Sequence, residues 1–191
     1  MLRATVCALL LTGLIAGESP TRSTMCAVPA DTLGHFPSVE GRNLDDRRFD
    51  LPADFEGELN VVLVAFTRGQ QGDVDSWMPF LKSVTEPRRS VRVYELPTLG
   101  RRYRLMRSFI DGGMRRGIPD PAVRAATITL YIDKEPFRDS LRLRDEDRIY
   151  LLLVDRRGVV HWRAEGRFDP RAGAELVRRI DEPRTPAGGI D

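Results

Sequence analysis

An α/β fold with parallel strands at its centre is expected for this 191-residue chain, on three observations. First, a strand feeds straight into a helix over 60–81, NVVLVAFTRGQQGDVDSWMPFL. Val61 to Phe66 is uncharged and rich in β-branched residues, which suits a strand covered on both faces. Val74, Trp77, Met78 and Leu81 then fall at i, i+3, i+4 and i+7, one stripe of an amphipathic helix. Second, VRVYEL at 91–96 follows that helix as another strand, so the pair forms a βαβ unit and should run parallel. Third, IYLLLVD at 149–155 and VVHWRA at 159–164 are joined by Arg156-Arg157-Gly158, a short hairpin with Gly at the positive-φ position.

From the N-terminus, a basic start at Arg3 precedes an apolar run from Ala4 to Ala16. That run is short for a bilayer span and matches the core of a secretory signal. Cleavage could fall near Ala16-Gly17 or after Ala30, and an uncleaved anchor is the alternative. The expected organisation is a signal peptide and linker over 1–30, one domain over 31–182 and a loose Pro- and Gly-containing tail over 183–191. Export implies a periplasmic or secreted protein. The two cysteines, Cys7 and Cys26, both lie in the N-terminal stretch, so a chain cut after Ala30 has no thiol at all.

Within 36–52, Val39, Leu44, Phe49 and Leu51 are spaced by polar turn residues, predicting a β-hairpin that turns at 43–46. The central strand and helix follow the Glu56-Gly57-Glu58 turn, the helix ends near Thr85–Pro87, and Pro97 should close the second strand. Tyr103, Met106, Phe109 and Ile110 mark a helix that Gly117 and Pro119 stop. TITLYID at 127–133 reads as a strand inserted before the C-terminal hairpin, and 137–143 as a short helix or turn. Asp169-Pro170 starts the last helix, with Ala174, Leu176, Val177 and Ile180 apolar.

Composition narrows the function. A hydrophobic content of 41%, a charged content of 30% and a net charge of +2 are ordinary for a folded domain. Lys82 and Lys134 are the only lysines, and the arginines are interleaved with acids, so no nucleic-acid partner is expected. His35 and His161 form no metal-ligand pair, and with no mature cysteine no metal is expected. No nucleophile elbow, phosphate loop or dinucleotide fingerprint is present, so neither catalytic residues nor a cofactor are assigned.

The order of hairpin, βαβ, helix, inserted strand, antiparallel hairpin and helix resembles the thioredoxin-like superfamily. So does the local text: MPFL at 78–81 resembles the helix after the redox motif in periplasmic members of the cytochrome-maturation type, and LLLVDRRGVVHWRAEG at 151–166 resembles their final hairpin. The resemblance implies a three-layer α/β/α sandwich whose mixed central sheet has an N-terminal β-hairpin and an inserted strand. It places the family's Cys-x-x-Cys on Gln71, Gly72, Asp73 and Val74, and its cis proline on Ile149. A redox thiol needs sulfur at the helix N-terminus, where the dipole stabilises the thiolate, and this chain has none there. IDGGMRRGIPDPAVRAATITLYIDKEPF at 110–137 resembles, in turn, the thioredoxin-like family that contains the mitochondrial ATP synthase assembly factor.

These resemblances imply a non-redox binding or assembly factor with a protein partner, one that could itself be membrane-associated. The surface expected to engage it comprises Arg68, Gln70, Gln71, Asp73, Trp77 and Ile149. For Trp77 the helical stripe also predicts plain core packing, the groove edge being the functional alternative. The competing function is a thiol-disulfide oxidoreductase or peroxidase-like enzyme with a non-standard site, using Cys26 if processing spares it.

Overall fold

The computed structural model describes residues 33–183; the predicted signal, both cysteines and residues 184–191 lie outside the described part. The hairpin forms from β1 (Val39–Asn43) and β2 (Arg48–Leu51), antiparallel, with Val39 opposite Leu51. Asn43 makes the turn: its Oδ1 accepts the N–H groups of Asp45 at 3.1 Å and Arg47 at 2.8 Å, while Asp46 takes φ 70°. The chain continues through β3 (Leu59–Ala65), α1 (Gln71–Thr85) and β4 (Val91–Gly100). Next come α2 (Arg107–Gly117), α3 (Pro121–Ala126), β5 (Ile128–Ile132) and α4 (Lys134–Ser140). It ends with β6 (Tyr150–Asp155), β7 (Val160–Glu165) and α5 (Pro170–Asp181).

The strands make one mixed sheet in the order β2-β1-β5-β4-β3-β6-β7. β3 and β4 are parallel neighbours, as the βαβ reading requires, and β4 is also parallel to β5. The inserted strand β5 thus joins the N-terminal hairpin to the rest of the sheet, since it pairs antiparallel with β1. Every residue of β3 is buried, which is why that strand carries no charge.

Alternation along the strands sends side chains to two cores. Val62, Val64, Leu152 and Val154 meet Phe36, Phe55 and Phe137 on one face, with Phe36 edge-on to both other rings at 5.5 and 5.7 Å. Val61, Leu63, Leu151 and Leu153 meet Trp77, Leu81, Leu176 and Ile180 of α1 and α5 on the other. This is the three-layer, thioredoxin-like α/β architecture that the element order predicts.

Local details depart from the sequence expectations, each for a physical reason. β4 runs through Pro97 to Gly100: Pro97 lies at the last pair of the β3 ladder, and the β5 ladder begins at Thr98. The short helix or turn expected at 137–143 forms as a helix over Lys134–Ser140, which puts Pro136 in its first turn, where a missing N–H forfeits no helical bond. The short helix α3 was not foreseen; Asp120 caps it by accepting the Ala122 N–H at 2.8 Å. In α5 the inward position beside Leu176 and Ile180 belongs to Gly173 rather than to Ala174, which is exposed. The helix marked by Tyr103, Met106, Phe109 and Ile110 forms as a 3-10 turn over Arg101–Met106 leading into α2, but it buries none of its residues.

Candidate functional site

The strand-to-helix junction is built by one glutamine. After β3 ends at Ala65, Thr67 is extended and a single 3-10 turn, Arg68–Gln70, leads into α1. The Gln70 side chain folds back, its Oε1 accepting the N–H groups of Phe66 at 2.8 Å and Thr67 at 3.3 Å, and its Nε2 donating to the Glu146 carbonyl at 2.7 Å. It thereby satisfies donors left open where the strand stops, and it ties the junction to the loop that precedes β6. That loop is held a second time, because the Glu146 carboxylate pairs with Lys134 and, at 3.5 Å, with Arg138. Nothing in the local sequence marks Lys134, Arg138 and Glu146 as parts of one network.

Of the six residues expected to form the binding surface, three are at the surface and three are interior. Arg68 and Gln71 are exposed, and Asp73 is half-buried with Arg167 Nε 3.8 Å from its carboxylate. Gln71 Nε2 donates to Asp75 Oδ1 at 3.0 Å, one turn on. Gln70 is buried in the network just described. Trp77 is 0% exposed: its ring lies edge-on to Trp162, Phe80 and Phe168, and its Nε1 donates to the Gly166 carbonyl at 2.9 Å. The core packing of Trp77 therefore holds, and its edge lines no groove. Ile149 is fully buried as well; it follows a trans peptide, and its carbonyl accepts the Gly166 N–H at 2.9 Å. Gly166 thus anchors both Trp77 and Ile149 from the segment after β7.

Sequence reading missed Glu95. It lies in β4, opposite Leu63 of β3, on the sheet face that α1 covers. Burial pushes its carboxyl up to about 6; the Asp75 carboxylate adds to the shift and a hydrogen bond from Gln71 opposes it. The only trace in the sequence is a lone carboxylate within VRVYEL. Gln71, Asp75 and Glu95 thus form a small polar group at the start of α1. Among the described residues no set of three or more His, Cys, Asp or Glu gathers to hold a metal ion.

The chain has a thioredoxin-like fold whose central helix carries an amide, Gln71, and an apolar residue, Val74, one turn apart at its start. Solved structures agree on the fold. A candidate electron transfer protein from Aquifex aeolicus VF5 superposes with a TM-score of 0.56 at 8% identity, over 78% of this chain and 95% of that one. BsSco, a member of the Sco family of cytochrome c oxidase assembly proteins, gives 0.52 at 12% identity, over 77% and 91%. Copper-bound ScoI of Arabidopsis thaliana gives 0.52 at 14% identity, over 78% and 98%. At such identities the likeness is one of fold. No protein-family model and no curated protein sequence matches the chain, so nothing narrows it to the family of the ATP synthase assembly factor.

Proposed function

We propose that this chain is an exported, non-redox binding or assembly factor that meets a protein partner through the surface at Arg68, Gln71 and Asp73. The observation that carries this reading is the occupation of the two dithiol positions by Gln71 and Val74. A helix N-terminus without a thiolate can still recognise a partner, because the Gln70 network holds the junction rigid while leaving Arg68 and Gln71 exposed. Arg68, Asp73, Asp75 and Arg167 give it a mixed-charge rim suited to a polar protein surface rather than to an apolar ligand. An assembly role is the one BsSco's family carries. Periplasmic or secreted placement rests on the N-terminal run.

A photo-crosslinker at Gln71, compared with one at exposed Ser83 on the same helix, tests the reading. A specific envelope protein captured from position 71 and not from 83, and lost with Arg68→Glu, is the expected result. Equal labelling from both positions would reject the surface. The mature protein should also leave insulin disulfides and peroxide untouched above background. Turnover that vanishes with Cys26→Ser would establish the oxidoreductase alternative instead.

A further inference from the structure

The segment from Arg101 to Gly117 is turned inside out. Arg107, Asp111 and Arg115, at i, i+4 and i+8, form the side of α2 that faces the protein. Arg107 lies 3.9 Å from both Asp46 and Asp111, Asp111 accepts the Tyr131 hydroxyl at 2.8 Å, and Arg115 Nε donates to the Leu44 carbonyl. The inner side is polar because the sheet beneath it is polar: Arg42 and Thr129 are register partners on β1 and β5, and Tyr131 follows on the same face. Ile110 and Met114 are half-buried, but Leu105, Met106 and Phe109 point the other way. Leu105 is 98%, Phe109 75% and Met106 52% exposed, and Leu105 and Phe109 are one turn apart.

Charge accompanies this exposed ridge. Residues 101–117 hold six arginines and one acid, Asp111, in a chain whose net charge is only +2. Arg101, Arg102, Arg104 and Arg116 have no carboxylate partner among the described residues; Arg102 instead lies over the Tyr103 ring at 4.9 Å. The three-residue period of the 3-10 turn puts Arg101, Arg104 and then Arg107 on one side, where with Arg42 and Tyr131, and with the two acids Glu40 and Asp133, they line a cleft of about 280 Å³ in which arginines outnumber carboxylates.

We propose that this ridge and cleft are a docking surface for an anionic phospholipid bilayer, with Leu105, Met106 and Phe109 entering the headgroup–acyl boundary and the arginines meeting lipid phosphates. Basic residues beside exposed large apolar side chains are the signature of an interfacial helix. Leu105, 98% exposed, stands clear of the rest of the protein, where a deformable lipid interface takes it up. A second copy would bring the unpartnered arginines of one ridge against those of the other. No helix among the described residues is long and apolar enough to cross a membrane.

Co-sedimentation of the full chain with vesicles of neutral phosphatidylcholine, and with vesicles containing about one-third phosphatidylglycerol, tests this. Binding should favour the anionic vesicles and fall with added salt. Leu105→Ser with Phe109→Ser should weaken it about tenfold or more, on apolar burial alone. Arg101→Gln with Arg104→Gln should weaken it roughly tenfold or more, at about fivefold per arginine. Both pairs are exposed, so matching thermal melts are expected and keep the comparison interpretable. Equal binding to both vesicle types, or indifference to both variants, would show that the N-terminal run alone holds the chain and would overturn the proposal. Two other results would overturn it too: a dimer that dissociates in the Leu105/Phe109 variant, or inorganic phosphate bound at Arg101 and Arg104 by a protein that ignores vesicles.

Discussion

Glu95→Gln should make the protein more stable above neutral pH and leave it almost unchanged near pH 4. Glu95 sits in β4 beneath the start of α1, and burial first, then the Asp75 carboxylate, raise its carboxyl to about 6. An unperturbed glutamate titrates near ~4.3. A group raised in the folded state favours folding while it is protonated, and that advantage fades as pH climbs through the folded value. Below about pH 4.3 the carboxyl is neutral in both states and costs nothing. Between that value and about 6 the unfolded chain ionises first, and above about 6 the folded protein carries a charge it solvates poorly. The displacement corresponds to about 2 kcal/mol of stability lost at high pH. Glutamine keeps the shape and cannot ionise, so the difference between variant and wild type should grow from near zero at low pH to about 2 kcal/mol at pH 8. Urea unfolding of both proteins across this range measures it, and subtracting one curve from the other removes every other titrating group. Asp75→Asn should shrink the difference, because it removes the second cause of the shift. A difference that is constant with pH, or that grows toward acid, would refute the placement of Glu95.

Gln70→Ala strips the acceptor from the Phe66 and Thr67 N–H groups and should cost about 1–3 kcal/mol, whereas Gln71→Ala next to it should stay within about 0.5 kcal/mol; denaturant unfolding separates the two, and equal losses would contradict the Gln70 network. Gly57→Ala puts a Cβ 2.4 Å from the Leu59 carbonyl oxygen and 2.9 Å from that of Ser90, so a loss of about 1–3 kcal/mol is expected from overpacking against backbone, and an unchanged melting temperature would refute the tight turn. Gln71→Cys with Val74→Cys places two thiols at i and i+3 of the first turn of α1, within the ~7 Å that a bridge allows between Cα atoms. Mild oxidation should close that bridge without unfolding, as non-reducing mass spectrometry would show. Insulin reduction should stay weak, since Asp73 and Asp75 counter the helix dipole that would otherwise acidify the thiol.

What the chain settles by itself is whatever a short window can decide. The uncharged run at 61–66, the stripe of Val74, Trp77 and Leu81, and the turns at Asn43 and Gly158 each follow from local periodicity or a local backbone requirement. Their order was enough for the thioredoxin-like architecture, and with Cys7 and Cys26 as the only cysteines the sequence holds no Cys-x-x-Cys. The site depended on contacts between distant parts of the chain. Gln70 and Gln71 are the same residue type one position apart, yet one is wired to Glu146 and buried while the other faces solvent. Glu95 is an unremarkable strand residue until α1 covers it. Pro97 reads as a strand end until a second ladder takes over from the first. The 101–117 segment is the sharpest case: Leu105, Met106 and Phe109 predict an inward face, and the sheet beneath offers Arg42, Thr129 and Tyr131 instead. A side chain's periodicity says that a helix has two faces, but the surface it lands on decides which of them is buried, and that surface is assembled from strands far away in the sequence.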